Sequence, residues 1–431
     1  MSNQKKQWGA IIIMIALFAM IAFVTNLCTP MATIIKNQGP ISNVLAQIGN
    51  YGNFVAYLVM GIPAGMLIAK YGYKKTALIG LAVGIIGIAI QWFSGQLDVK
   101  ENLPLVFTVY LIGAFIAGFC MCILNCVVNP MLNILGGGGN AGNQLIQTGG
   151  VFNSTAAVCC YILMGALIGD VTKAKISDAT PALMIALGIF VLAFIIISLT
   201  KIEEPEQAPV EVSLIKGAMS HRHFALGALA IFLYMGIEVG VPNFVQQYLT
   251  NEMKIPAGTV GMLVAVYWFM MLIGRFVGAS IGGKVSSRAM ITTVSIATLV
   301  LVLFGMFAPT DSLIAFPGVD WSTLTVVWQN VPIGIFAFLL VGLCTSVMWG
   351  GIFNMAVEGL GKYTAIASGI FMTMVFGCAV MMFIQASVAD AVGYIQSYWV
   401  VVFCAAYLLF YALIGSRVSK REYEGVEKVE K

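Results

Sequence analysis

Residues Cys120–Ala157 read CMCILNCVVNPMLNILGGGGNAGNQLIQTGGVFNSTAA, a series of amide side chains set between segments that are apolar enough to lie in lipid. Asn125, Asn129 and Asn133 occupy every fourth position of the first segment. On an α-helix this spacing places the three side chains on nearly one face. An amide that is buried without a partner costs roughly 1–3 kcal/mol. The stripe should therefore face other polar groups or a water-filled cavity.

Two interpretations of the amides stay open for any single residue. Carboxamides both donate and accept hydrogen bonds, which suits a ligand rich in hydroxyl groups. Amides also join packed membrane helices to one another. Because Gln147 and Asn153 follow in the next apolar segment, we interpret the stripe and this segment together as the lining of a cavity.

The composition predicts an all-α integral membrane protein. Hydrophobic residues make up 60% of the 431 residues and charged residues only 9%, and the mean hydropathy is +0.95. Soluble globular chains do not have this balance. In lipid each backbone polar group must be paired within its own segment, which favours helices. The net charge of +4 is small and no segment resembles a basic surface, so we expect the lipid bilayer and no nucleic acid as a partner.

The sequence contains no pattern that is typical of an enzyme, a metal site or a cofactor site. The nine cysteines fall in apolar segments without a CxxC pair, and we interpret them as packing residues. His221 and His223 lie in a charged connector. The tetraglycine at 136–139 lacks the Lys-Ser/Thr that a phosphate loop requires. We therefore expect neither catalysis nor a bound metal or cofactor.

Apolar windows of about 20 residues are the unit to count, because a helix rises ~1.5 Å per residue across a hydrocarbon core of ~30 Å. The first window follows Lys5 and Lys6 without a cleavage site, so we expect it to be retained as a helix. Twelve windows occur, at residues 8–35, 44–70, 75–95, 104–135, 144–169, 181–200, 224–250, 257–283, 289–308, 331–358, 363–389 and 395–416.

Basic residues predict the orientation of these twelve spans and their division into two groups of six. With the N-terminus inside, the inner connectors collect most of the Lys and Arg residues, so both termini are predicted to be cytoplasmic. The longest polar interruption predicts a linker at 201–223 between an N-terminal bundle (1–200) and a C-terminal bundle (224–431) with a short tail. The outer connector Pro309–Asn330 is predicted to be an ordered interfacial loop.

Two inner turns resemble each other and point to two related halves. Each follows a glycine-containing helix end, at residues 65–75 and 278–288. Cations in such turns favour the C-terminal dipole of the preceding helix. Paired halves of this kind are typical of repeat-built transporters. We assign these cations to a network that controls conformation: Lys70, Lys74, Lys284 and Arg288.

Further short motifs stand beside the two inner turns: Asn129-Pro130, Leu135-Gly136, Phe152-Asn153-Ser154, 232–239, 359–364 and Ala389-Asp390. Through these residues the chain resembles the major facilitator superfamily and, within it, the fucose–galactose–glucose cation symporter family. The resemblance implies two pseudo-symmetric six-helix bundles in a bacterial inner membrane. It also implies import of a small sugar (a hexose, deoxyhexose or N-acetylhexosamine) with a proton or sodium ion by alternating access, for which a monomer suffices.

The chain departs from that family where acids are expected. In family members that couple to protons, carboxylates are expected on the first and fourth helices. Here Thr25–Pro30 contains no acid, and Asn125 and Cys126 stand before the Asn129-Pro130 pair. The resemblance therefore implies the substrate class more directly than the coupling mechanism.

Glu238 is our candidate for the residue that binds the coupling cation. It lies about 14 residues into the seventh window, which is ~21 Å along a helix and near the middle of the bilayer. A carboxylate at that depth costs at least ~2.5–3.5 kcal/mol, so it should face a cavity or a partner. The alternative is a structural acid that is bonded to a neighbouring helix. We expect Arg275 to serve the conformational network nearer the inner face and not to pair directly with Glu238.

Windows one, four, five, seven, eight and ten are predicted to line the cavity. Amides would bind sugar hydroxyl groups, and Trp268 or Trp349 would stack on the sugar. Tyr57 and Asn243 are further candidates for the cavity, and Gln385 is a weaker one. The predicted sugar-binding residues are Asn26, Asn50, Asn125, Asn129, Gln147, Asn153, Gln246, Trp268, Trp349 and Asn354.

Three rival functions remain open at this point. The same fold without ion coupling would be a sugar facilitator. An exporter of drugs or lipids would have a more apolar cavity and would not depend on Asn129 or Asn153. A receptor or scaffold would bind a ligand without moving it across the membrane.

Overall fold

The computed structural model describes residues 7–36, 43–97, 99–137, 139–168, 174–202, 213–320 and 325–418. Within these ranges the chain forms long helices joined by short connections, with one small β-hairpin. Large apolar side chains are exposed on the outer faces of the helices, for example Leu192, Val300 and Phe403. Such faces suit contact with lipid, which is as apolar as these side chains.

Six helical spans make up the N-terminal group. Two of them, α2 and α3, are the arms of one continuous segment that breaks at Gly72, where φ is 80° and ψ is 174°. Glycine adopts a positive φ without the steric cost that other residues meet. The spans are α1 (Trp8–Lys36), α2 and α3 (Asn43–Ser94, before and after Gly72), α4 (Val99–Leu135), α5 (Gly139–Ile168) and α6 (Thr180–Leu199).

A short helix, Ser213–Ser220, precedes the C-terminal group of six spans. Two of these spans are interrupted near their middle, between Thr345 and Met348 and by a 3-10 turn at Met374–Phe376. The spans are α7 (Arg222–Asn251), α8 (Ala257–Ile281), α9 (Ser287–Phe307), α10 (Ile333–Thr345 and Met348–Val357), α11 (Thr364–Thr373 and Gly377–Val392) and α12 (Trp399–Phe410, continued by a π-helical turn, Tyr411–Gly415).

Ten segments of the described residues are long and apolar enough to cross a membrane by length and composition. One of them, Gly52–Ser94, contains both α2 and α3. The amide-rich helix α5 is not among the ten. When the two arms are counted separately and α5 is added, the twelve predicted windows are accounted for.

The outer connector before α10 departs from the all-α prediction. Strands β1 (Leu313–Asp320) and β2 (Thr325–Pro332) form an antiparallel hairpin. The run Val326-Val327-Trp328 favours this conformation, because β-branched and aromatic residues suit a pleated strand. A Cβ at Gly318 would overlap the side chain of Thr259, so the hairpin packs closely on the first turn of α8.

The two groups meet along α5 with α8 and along α2 with α11. The second contact needs a glycine, because a Cβ at Gly61 would lie 2.6 Å from the backbone nitrogen of Thr373. Gln144 at the start of α5 donates to the carbonyl oxygen of Ala279 near the end of α8, at 2.9 Å. We call this end, where α5 begins and α8 ends, the closed end of the molecule.

Candidate functional site

A cavity lies between the two groups of helices, about halfway along their length. The empty space inside it is about 1060 Å³, including open solvent at its mouth. Its polar lining from the N-terminal group consists of Thr25, Asn26, Asn53, Tyr57, Asn125 and Asn153. Its polar and aromatic lining from the C-terminal group consists of Glu238, Asn243, Trp268, Arg275 and Trp349.

A chain of hydrogen bonds crosses the cavity wall from α2 to α10. Nδ2 of Asn125 donates to the hydroxyl of Tyr57 at 2.9 Å. Nδ2 of Asn129 donates to the backbone oxygen of Asn125 at 3.0 Å, and its Oδ1 accepts from the indole Nε1 of Trp349 at 3.2 Å. Asn129 is fully buried and is not part of the cavity lining. Asn125 therefore fits the interpretation as cavity lining, and Asn129 fits the interpretation as a hydrogen bond between packed helices, since it joins α4 to α10.

Asn26 and Asn153 lie in the lining, and each has a backbone partner. Nδ2 of Asn26 donates to the carbonyl oxygen of Ala22 at 2.7 Å, within α1. Nδ2 of Asn153 donates to the carbonyl oxygen of Phe18 at 2.8 Å, which ties α5 to α1. Oδ1 of Asn153 also accepts from Nη1 of Arg275, at 2.8 Å. A primary amide has two donor hydrogens and an oxygen with two lone pairs, so both residues keep capacity for a ligand.

Besides Asn129, three predicted sugar-binding residues lie outside the cavity lining. Gln147 is buried at the closed end, where its Nε2 donates to the carbonyl oxygen of Val347 at 3.4 Å. Asn354 donates to the hydroxyl of Ser287 on α9 at 3.0 Å. Gln246 is half-buried on α7 beyond the lining. The side chain of Asn50, also predicted, lies outside the part of the chain whose side chains are described.

The two candidate tryptophans differ in their hydrogen bonds. Nε1 of Trp349 donates to Oδ1 of Asn129, whereas Nε1 of Trp268 is buried and has no partner among the residues that the structure describes. Trp268 packs edge-on against Tyr267, with ring centroids 5.4 Å apart. An indole N–H normally finds an acceptor when it is buried. Trp268 is therefore the better candidate to donate to a ligand as well as to pack against it.

Glu238 and Arg275 form an ion pair in the wall of the cavity, contrary to the sequence prediction. Nη2 of Arg275 lies 3.8 Å from Oε1 of Glu238. Its Nη1 donates to the carbonyl oxygen of Gly150 at 2.7 Å and to Oδ1 of Asn153 at 2.8 Å. The prediction located the two residues by their positions along the helices and did not allow for the length of an arginine side chain, which here reaches toward α7.

The other four cations of the predicted network lie away from the cavity. Nζ of Lys74 donates to the carbonyl oxygen of Ser198 at 3.1 Å, and Lys70 lies over the ring of Tyr71. Arg288 donates to the hydroxyl and carbonyl oxygens of Ser416, at 3.3 Å each. Lys284 is exposed in the turn after α8. Their part in conformational change stays a prediction.

Asn53 on α2 lines the cavity, although it is not among the residues predicted to bind sugar. It stands four residues before Tyr57 on the same helix, so helical spacing from Tyr57 was the pattern that would have found it. Met382 on α11 also lies in the lining.

The comparisons with known proteins agree with this architecture. A family model described as Major Facilitator Superfamily matches residues 10–382, which is most of the chain. The chain belongs to the Major Facilitator Superfamily. Its members are transporters, so the predicted superfamily and the twelve-helix fold are confirmed.

Curated members of the superfamily match nearly the whole of this chain. The glucose/galactose transporter of Brucella abortus is 29% identical over 425 residues, which cover 96% of each chain. The putative glucose/galactose transporter of Helicobacter pylori is 26% identical over 93% of this chain and 95% of that protein. The L-fucose-proton symporter of Escherichia coli is 22% identical over 94% of this chain and 92% of that protein.

Solved structures of the superfamily share the fold. The transporter FucP in its outward conformation superposes with a TM-score of 0.76, at 20% identity, over 95% of this chain and 99% of that chain. The proton:xylose symporter XylE, bound to 6-bromo-6-deoxy-D-glucose, superposes with a TM-score of 0.69, at 12% identity, over 100% of each chain. At these identities the likeness shows the major-facilitator fold.

Proposed function

We propose that this superfamily member imports a small sugar together with a proton or sodium ion, by alternating access of the central cavity to the two sides of the membrane. The observation that carries the proposal is the convergence of Asn125, Asn153 and Trp268 on one cavity that also holds Glu238. Amides together with an indole ring suit a ligand with many hydroxyl groups and apolar C–H faces. The printed names of the relatives, glucose/galactose transporter and L-fucose-proton symporter, support the same substrate class.

In this proposal the sugar lies between α4 and α8. The side-chain oxygens of Asn125 and Asn153 already accept one hydrogen bond each, from Asn129 and Arg275, so the second N–H and the second oxygen lone pair of each amide bind sugar hydroxyl groups. Nε1 of Trp268, which has no partner among the described residues, donates to a sugar oxygen. Asn26 and Asn243 lie at the edge of the same space. A hexose, a deoxyhexose and an N-acetylhexosamine all fit this chemistry.

The two halves proposed to move against one another are residues 1–200 and 224–431, joined by the linker 201–223. Support comes from the position of the cavity between the two groups of helices, which is typical of repeat-built transporters. With both termini in the cytoplasm of a bacterial cell, the closed end faces inward, and the structure corresponds to an outward-facing state of an inner-membrane protein. A monomer contains the whole pathway.

Glu238 is the proposed site of the coupling cation. It lines the cavity, where water and ions have access to it, and its side chain is 14% exposed. A carboxylate within the membrane is costly and is typical of ion and proton pathways. The lack of acids at Thr25–Pro30 and at Asn125 and Cys126 leaves Glu238 as the carboxylate of the cavity lining.

Uptake into proteoliposomes tests this proposal. Labelled glucose, galactose, fucose and N-acetylglucosamine are supplied with a proton gradient, a sodium gradient or neither. We expect one of them to accumulate only with a gradient. Glu238→Gln should abolish accumulation and keep sugar exchange, because exchange requires no net movement of the cation. Glu252→Gln, the same change at an exposed end of α7, is the control. Accumulation that is unchanged in Glu238→Gln would remove Glu238 from the mechanism.

An uncoupled facilitator is the second candidate function. The observation in its favour is the absence of acids from the positions on α1 and α4 where proton-coupled family members are expected to carry them. Saturable uptake that ignores both gradients would select the facilitator and reject the symporter.

A further inference from the structure

The hairpin of β1 and β2 carries apolar residues on both of its faces. Residues that stand directly opposite each other in an antiparallel pair share a face. We call one face the exposed face; besides Asn330 and Pro332 it consists of Leu313, Ala315, Pro317, Val319, Val326 and Trp328. The apolar residues of the other face, the packed face, include Ile314, Phe316, Val327 and Val331. An antiparallel hairpin with one side in water usually has a polar face on that side. The exposed face is not polar in this sense.

Helices of the C-terminal group contact the packed face. A Cβ at Gly318 would overlap the side chain of Thr259 in the first turn of α8. The ring of Phe316 lies 6.1 Å from the ring of Phe336 on α10, measured between centroids. Val331 is fully buried. The hairpin is therefore fixed to α8 and α10 through one face and turns the other away from them.

The exposed face presents large apolar side chains to the surroundings of the protein. Trp328 is 65% exposed and Val326 is 61% exposed. An apolar patch of this kind marks a contact with lipid or with another protein. Two strands of eight residues cover ~26 Å by ~10 Å, or ~260 Å². A stable protein interface needs ~800 Å² from each partner, so the face by itself is too small to hold a second copy of this chain.

The exposed face continues a surface that suits lipid. β1 begins shortly after α9, whose outer side carries the exposed residues Val300 and Phe307. Phe307 packs edge-on against Trp399, the first residue of α12, with ring centroids 6.2 Å apart. Trp328 and this aromatic pair therefore lie at the same end of the molecule, opposite the closed end. Tryptophan is enriched where a membrane protein crosses from lipid into water.

The backbone of the hairpin places it at the membrane surface and not in the hydrocarbon core. A sheet of two strands has two edges, each with unpaired N–H and C=O groups. Such edges are too costly in the core, where no water is present to pair them. Asp320, the one charged residue in the sequence of the two strands, would also be costly there. Head groups and water satisfy both requirements.

We propose that the exposed face of the hairpin binds the lipid bilayer at the membrane–water interface, with the indole of Trp328 among the phospholipid head groups. The sequence predicts an interfacial position for the whole connector, and the proposal assigns the lipid contact to one face of it. Because the packed face holds α8, the contact fixes the first turn of α8 at the level of the head groups. The proposal does not depend on the sugar or on the coupling cation.

Spin labels on the protein in phospholipid vesicles test the proposal. The parent carries Cys159→Ser, because Cys159 is an exposed cysteine, and the signal of this parent is subtracted. A nitroxide on Val326→Cys reports on the exposed face. The matched controls are Glu252→Cys at the exposed end of α7, for water, and Val300→Cys on the outer side of α9, for the hydrocarbon core; all three native side chains are exposed.

We expect the label at Val326 to collide with a water-soluble nickel complex roughly threefold less often than the label at Glu252, because head groups and lipid cover it. It should collide with oxygen less often than the label at Val300, since oxygen concentrates in the core. Nickel collisions as frequent as at Glu252 would place the face in water and overturn the proposal. A depth equal to that of Val300, or low collision rates with both reagents, as when protein covers the face, would also overturn it.

The fluorescence of Trp328 gives a second measurement that needs no labelling. Trp328→Phe should remove a component of the tryptophan emission that phospholipids brominated near the head group quench. Trp349→Phe, the same change in the wall of the cavity, should leave that component in place. A larger loss of the component that aqueous iodide quenches would place Trp328 in water, and equal losses of the lipid-quenched component in the two variants would also overturn the proposal.

Discussion

The cavity is lined by amide side chains, by an indole and by one ion pair. Whether an amide of the asparagine stripe faces the cavity depends on a small rotation around the helix axis. A step of four residues turns an α-helix by ~400°, so each member of a four-residue stripe points ~40° away from the one before it. Asn125 consequently faces the cavity, while Asn129 faces Trp349 on α10. The sequence predicted that the three asparagines share one face, but not that Asn125 faces the cavity while Asn129 does not.

Removal of the amide of Asn125 should weaken sugar binding. Asn125→Ala is expected to raise the KM for the transported sugar about tenfold, which corresponds to ~1.4 kcal/mol, because hydroxyl partners are lost. Asn354→Ala, the same change at a residue bonded to Ser287 outside the cavity, should leave KM within about twofold. Initial rates of uptake over a range of sugar concentrations measure both. A larger effect at Asn354 than at Asn125 would place the sugar elsewhere.

The indole of Trp268 should contribute through both its ring and its N–H. Trp268→Phe keeps a flat ring but lacks the donor, and we expect it to lower sugar affinity by roughly fivefold. Trp268→Ala also removes the packing surface and should lower affinity by roughly a hundredfold. Sugar binding to purified protein, measured by titration calorimetry, distinguishes the two. Equal losses in both variants would show that the ring does not contact the sugar.

The helices could be predicted from the sequence because each carries its own signal of length and apolarity. The exceptions arise where another contact decides the conformation. The hairpin of β1 and β2 depends on strand pairing and on the packing of Gly318 against Thr259. The Glu238–Arg275 pair depends on how far a side chain reaches, which spacing along a helix does not reveal.

The contact of α2 with α11 gives a prediction for this pair of helices. Gly61→Ala would place a methyl group 2.6 Å from the backbone nitrogen of Thr373, so the closed end should form less readily. We expect uptake of the sugar to fall roughly tenfold. Gly188→Ala on α6, where a Cβ meets nothing within 4 Å, is the matched control. It should leave uptake unchanged, and equal effects of the two variants would contradict the account.

In the whole molecule, two six-helix groups enclose the cavity about halfway along the helices and meet at the closed end. The contacts at the closed end are made by glycines, amides and one guanidinium, with Gln144 and Arg275 among them. Small residues and single hydrogen bonds separate at lower cost than a large apolar surface. The cavity can therefore change sides without unfolding either group, which is what alternating access requires.

The position of a bound sugar tests the central claim most directly, which is that Asn125, Asn153 and Trp268 form one binding site. The measurement is an experimental structure of the protein with the sugar that it accumulates best. The account predicts that the sugar lies in the central cavity, within hydrogen-bonding distance of Asn125 and of Nε1 of Trp268. A sugar bound outside this cavity, or an empty cavity at a saturating sugar concentration, would contradict it.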